Sequence, residues 1–240
     1  MLDFIGTIVL VAAIITSINA LTGAMPISPS QRLVVSVGAG LWTGLAAALG
    51  AANLFVGTNP IGPGVIGTVI VFPLVATAVA AQLSPSVRAA LKGMSMPFLI
   101  GLNVWRVAGG FFLLLAAEGR LGGPFPYSAG WGDVITGALA LPVAWLALRG
   151  QGKALVWSWN AFGMLDLVAA LAFGIISANG SPLQLIHAGE GSQAVQMMPW
   201  SLIPTVLVPM FLIVHAVIFA RLADAGGARQ VKSVLQRNCL

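Results

Sequence analysis

Five polar side chains stand inside stretches that are otherwise apolar: Asn103, Arg106, Asn160, Asp166 and His215. An arginine, an aspartate and a histidine in one apolar setting can hold an anionic group or a carbonyl, set its charge and exchange a proton near neutral pH. Arg106 falls near the centre of SMPFLIGLNVWRVAGGFFLLLAAE, residues 95–118, a run long enough to cross a bilayer. At about 1.5 Å per helical residue it lies roughly 16 Å along the run, close to the midplane of a hydrocarbon core about 30 Å thick. A cation there costs on the order of 3 kcal/mol on insertion scales, so it should turn inward and find a partner. Asp166 reaches nearly the same depth, roughly 18 Å into a later run entered from the same side. Gly109 and Gly110 follow the arginine, and Ala169 and Ala170 follow the aspartate, so both faces permit the close approach an ion pair in lipid needs. An Arg106–Asp166 pair is therefore expected.

His215 lies about 9 Å from the basic end of its run, level with Asn103 and Asn160, and completes a polar cluster. A separate outer site is expected where Trp131 and Asp133 open the fifth run, with Gly130 and Gly137 on the Asp133 face. Each feature also has a purely structural reading. The pair can simply fix how two helices dock, His215 can bond a neighbouring carbonyl, and Asp133 can cap a helix start.

The elements that must position these residues follow from composition. Of 240 residues 58% are hydrophobic and 7% charged, and the mean hydropathy is +0.98, which excludes an ordinary soluble domain. The fold class is an all-α integral membrane bundle of seven helices with short loops. The helices are expected at about 4–22, 33–56, 65–83, 95–118, 128–148, 154–178 and 199–222, forming one domain over 1–222 with a polar tail, 223–240, able to form a short surface helix. Ser84–Gly93 reads as a loop, and Gly40 and Gly44 as a face for close helix approach. Pro199 can start the last helix. Pro204 and Pro209 each delete a backbone hydrogen bond, bending the helix and freeing carbonyls for a ligand or neighbour. Trp131, Trp157 and Trp200 suit interfacial anchors.

Threading rests on basic residues. Arg32, Arg88, Lys92, Arg149, Lys153, Arg221, Arg229, Lys232 and Arg237 fall on one side, and Arg120 alone on the other with Asp3, Glu118 and Glu190. This places the N-terminus outside and the C-terminus in the cytoplasm. The same placement, at membrane ends, argues against nucleic acid despite a net charge of +5. The expected location is the cell membrane, multi-pass, and the inner membrane where a cell has two.

Several chemistries are excluded. Lys92, Lys153 and Lys232 all lie at ends or in the tail, so no mid-membrane lysine can carry a Schiff base. His187 falls in an outer loop, so His215 has no partner for bis-histidine haem, and one histidine with one aspartate is too few for a metal. No phosphate loop and no Ser/His/Asp set is present, and the residues indicate no particular cofactor. Cys239 is the only cysteine, which excludes an internal disulfide and lacks prenylation spacing. Three functions remain. The first is binding or carrying a small polar or amphipathic molecule at the Arg106/Asp166/His215 cluster with Asn103 and Asn160. The second is a non-catalytic accessory or assembly subunit of a larger membrane complex. The third is an intramembrane enzyme acting on a lipid or quinone with Asp133 or Asp166 as base, which the lack of a complete catalytic set disfavours. The expected partners are the bilayer and either a small ligand or other membrane subunits.

Overall fold

The computed structural model describes the backbone of residues 1–238 and side chains through Asp224, so the side chains of Arg229, Lys232 and Arg237, and Cys239 altogether, lie outside the described residues. Seven helices are long and apolar enough to cross a membrane: Leu2–Ala24, Pro29–Ala51, Gly62–Leu83, Met96–Ala117, Phe125–Leu148, Lys153–Ile176 and Ile203–Asp224, here the first to seventh spans. No strand occurs among the described residues. The chain is a helical, multi-pass membrane protein.

Local chemistry explains the boundaries. The second span begins at Pro29 and not at 33, because Ser28 and Gln31 form a capping box: Gln31 N–H donates to Ser28 Oγ at 3.3 Å and Ser28 N–H donates to Gln31 Oε1 at 3.0 Å. It ends at Ala51, and the residues expected to extend it to 56 form turns. The stretch expected as a loop after the third span is a short helix, Pro85–Gly93, whose N-cap Ser84 accepts from Val87 N–H. The tail is not a separate surface helix, since the helix of the seventh span runs unbroken from Val208 to Asn238.

The seventh span is the central post. In its apolar window 67% of residues are buried, against 11% in the second and third spans. It does not start at Pro199. A turn precedes a π-helical turn, Ile203–Leu207, before regular helix begins at Val208. The prolines cause this. Pro204 has no N–H for Trp200 O, which accepts from Ile203 N–H at 3.0 Å instead. Pro209 likewise leaves Thr205 O without its helical donor, and Trp42 Nε1–H of the second span fills that place at 3.3 Å. A freed carbonyl thus meets a neighbouring span.

Two expectations about apolar surfaces change. Trp200 is fully buried, not interfacial: its ring lies tilted with its centroid 5.2 Å from that of Phe111, and its Nε1–H donates to Asp3 Oδ1 at 2.7 Å. Arg120 Nη1 reaches the same oxygen at 2.8 Å, tying three segments together at the acidic end. A Cβ added at Gly40 or Gly44 meets nothing within 4 Å, so the close approach they permit is not made among the described residues.

Candidate functional site

Arg106 does not sit on an α-helix. The fourth span runs as α-helix over Met96–Gly101, as 3-10 helix over Leu102–Gly109 and as α-helix again over Gly110–Ala117. Such runs rarely exceed three or four residues, and inside a helix they mark strain or a hinge. With three residues per turn, Asn103, Arg106 and Gly109 line up on one face, and all three are buried. That face packs against the fifth span, which lies between the fourth and the sixth.

The guanidinium of Arg106 is a four-way clamp. Its Nε–H donates to Asp133 Oδ1 at 2.7 Å and its Nη2–H to Asp166 Oδ2 at 2.5 Å. Its Nη1 donates to Gly163 O at 2.8 Å and lies 3.0 Å from His215 Nε2. One side chain thereby holds the fourth, fifth, sixth and seventh spans together, well inside their length. Because a guanidinium only donates, His215 Nε2 must accept. The ring proton is then on Nδ1, which donates to Asn160 Oδ1 at 2.7 Å, while Asn160 Nδ2–H donates to His215 O at 3.1 Å. His215 is a neutral imidazole held at both nitrogens. Nitrogen NMR of histidine-labelled protein is expected to show an Nδ1–H tautomer for His215, and an Nε2–H signal would contradict the assignment.

Small residues let the clamp close. A Cβ added at Gly132 would overlap the Asp166 carboxylate, and one at Gly163 would stand 2.7 Å from His215 Cε1 and 2.9 Å from Arg106 Nη1. Trp159 walls the site, its ring 5.5 Å from the His215 ring and its Nε1–H bonded to Thr136 O at 3.1 Å. With both carboxylates ionised, one guanidinium and one neutral imidazole leave a net charge of −1, which a single proton or monovalent cation neutralises. Beside Arg106 and Asp133 is a void of about 20 Å³, bounded by Trp105, Leu207 and Phe211, with room for about one water.

The structure brings Arg106, Asp166, Asn160 and His215 together. Asn103 shares the Arg106 face but bonds carbonyls of its own helix, Leu99 O at 3.0 Å and Ile100 O at 3.4 Å. Asp133, expected at a separate outer site with Trp131, is instead bonded to Arg106. The fifth span begins at Phe125, not 128, so Asp133 lies about two turns in, buried on Arg106. Trp131 points elsewhere and is 56% exposed. Pro124 and Pro126, flanking the helix start, are the signal that could have placed it. The fourth and sixth spans also do not meet backbone to backbone as expected. The long arginine reaches across the fifth span at its glycines.

A second feature adjoins the clamp. A cavity of about 230 Å³ lies between the third and sixth spans with the seventh as its floor, walled by apolar residues such as Ile66, Ile70, Leu171 and Ile175. Polar groups gather at one end, where Ser181, Ser192 and Gln196 line it and Gln196 Oε1 accepts from Gly57 N–H at 2.8 Å. Ile203 and Val208 line both this crevice and the small void at Arg106. One layer of side chains, on the proline-interrupted start of the seventh span, separates them.

No curated protein and no solved structure matches the chain. A family model does, over residues 63–223, which takes in all but the first residue of the third span, the fourth to sixth spans, nearly all of the seventh, every residue of the clamp and all the crevice lining except Phe55 and Gly57. On that match, which covers more than half of its length, the chain belongs to the family described as Domain of unknown function (DUF8737).

Proposed function

We propose that this membrane protein binds or carries a small amphipathic molecule in the crevice between its third and sixth spans, with the Arg106 cluster as the polar group behind the crevice wall. The observation that carries this reading is the shared wall. Ile203 and Val208 stand between a large apolar cavity and a charged cluster, on a stretch where Pro204 and Pro209 have turned the start of the seventh span into a π-helical turn. Movement of that stretch would open the crevice onto Asp133 and Arg106, so a ligand with an apolar body and a polar head fits the pair of sites. Asp133, Asp166 and His215 would then exchange the proton or cation that balances the cluster. The threading that accompanies this reading sets the N-terminus outside and the C-terminus in the cytoplasm of a cell membrane, on the nine-to-one division of basic residues.

Gly67 supplies the test. It lines the crevice, and a Cβ added there meets nothing within 4 Å. Gly67→Phe should fill the space without disturbing the fold, while Gly64→Phe, also unobstructed but off the crevice, serves as control. Native mass spectrometry of the gently solubilised protein is expected to show a bound small molecule in wild type and Gly64→Phe, and to lose it in Gly67→Phe. An adduct equally present in all three, or in none, would refute the crevice as a binding site.

A second reading has its own observation. The second span exposes Gly40 and Gly44 with Leu41 at 71% exposure, a surface able to receive another helix. An accessory subunit would dock there, and Gly40→Leu with Gly44→Leu would release its partner from the purified complex.

A further inference from the structure

We infer that the groove between the third and sixth spans has, at its basic end, a site for one anionic phospholipid. This goes beyond the crevice reading and does not rest on it, because the two cavities share no lining residue. A volume of about 480 Å³ opens below the crevice, its walls made by Leu74 and Ala78 of the third span, Met164 and Val168 of the sixth, and Leu212 and Ala216 of the seventh. It faces outward, with Val168 50% exposed, so an acyl chain enters it sideways from the bilayer.

What selects the occupant is the charge at its mouth. Arg88 and Lys92, on the short helix that closes the groove, both line it. Arg88 is anchored by donating to Ala81 O and Gln82 O, each at 2.9 Å, in the last turn of the third span, which fixes its cation at the end of the apolar run. Lys92 pairs with Asp224 at 2.7 Å across the mouth. Two cations and one anion leave a net positive charge at the open end of an apolar slot. Apolar walls take acyl chains and the cationic rim takes a phosphate ester, a combination that fits an anionic lipid better than a zwitterionic one.

The test uses the full chain in nanodiscs of equal phosphatidylglycerol and phosphatidylcholine, followed by mass spectrometry of the lipid retained on release. Wild type is expected to keep one phosphatidylglycerol enriched roughly fivefold over phosphatidylcholine, the effect of about one net basic charge at the surface. Arg88→Gln with Lys92→Gln leaves Asp224 as the charge at the mouth and should abolish the enrichment, taking the ratio to below one, and Ala78→Phe, which fills the groove from an exposed position, should remove the retained lipid of both kinds. Asp224→Asn should raise the enrichment, since it frees Lys92; loss of folding cannot produce that gain. Equal retention of both lipids by wild type, or enrichment unmoved by the charge variants, overturns the site.

Discussion

Arg106→Leu is expected to leave little folded protein. It strands two buried carboxylates whose one partner cation among the described residues is Arg106, and breaking a buried pair by removing one partner costs on the order of 3–5 kcal/mol. The stronger test comes from compensation. Were the site a simple pair, Arg106→Leu with Asp166→Leu would fold, because matched apolar side chains can replace a buried ion pair. Here that double variant leaves Asp133 alone against the fourth span, so it should fail nearly as badly as the single one. Only Arg106→Met with both Asp133→Leu and Asp166→Leu should recover a monodisperse peak in size-exclusion chromatography and a Tm near that of wild type. A double variant as stable as the triple would show that Asp133 is not part of the clamp.

Gly132→Val carries the second large effect. Its new side chain would occupy the space of the Asp166 carboxylate, pushing the sixth span away and pulling that oxygen off Arg106. Overpacking alone typically costs about 1–3 kcal/mol, and the lost ion pair adds to it. Gly40→Val is the matched control, a valine for glycine in an equally apolar span with nothing within 4 Å. Thermal unfolding in detergent should show a large drop in Tm for Gly132→Val and almost none for Gly40→Val. Similar losses in both would mean that helix propensity, not contact with Asp166, sets the cost.

The seven spans were readable because apolar runs of about twenty residues separated by Gly/Pro turns are an unambiguous pattern. Depth matches Arg106 to Asp166 because both lie well inside long spans, and the 3-10 stretch, rising about 2.0 Å per residue in place of 1.5 Å, shifts Arg106 by only a few ångströms. Asp133 was misplaced because the sequence FPYSAGWGD looks polar and turn-like at its start, and helix ends are where pattern reading is weakest. A start three residues earlier turns an apparent cap into a buried ligand of the clamp. The 3-10 stretch around Arg106 has no legible mark in the sequence, since its residues are those of any membrane helix. Trp200 shows the same limit. A tryptophan near a span end reads as an anchor, and only the Asp3 carboxylate and the space at Gly6 reveal that it is buried. The crevice was also invisible, because it is a property of which spans fail to touch.

One guanidinium holds two carboxylates from different spans inside the bundle. Solid-state NMR of protein in bilayers, with nitrogen-15 on arginine and carbon-13 on aspartate side chains, measures this directly. Arg106 should show two short nitrogen-to-carboxyl couplings, one lost in Asp133→Asn and the other in Asp166→Asn, matching contacts of 2.7 and 2.5 Å. A single coupling that survives Asp133→Asn unchanged would contradict the account.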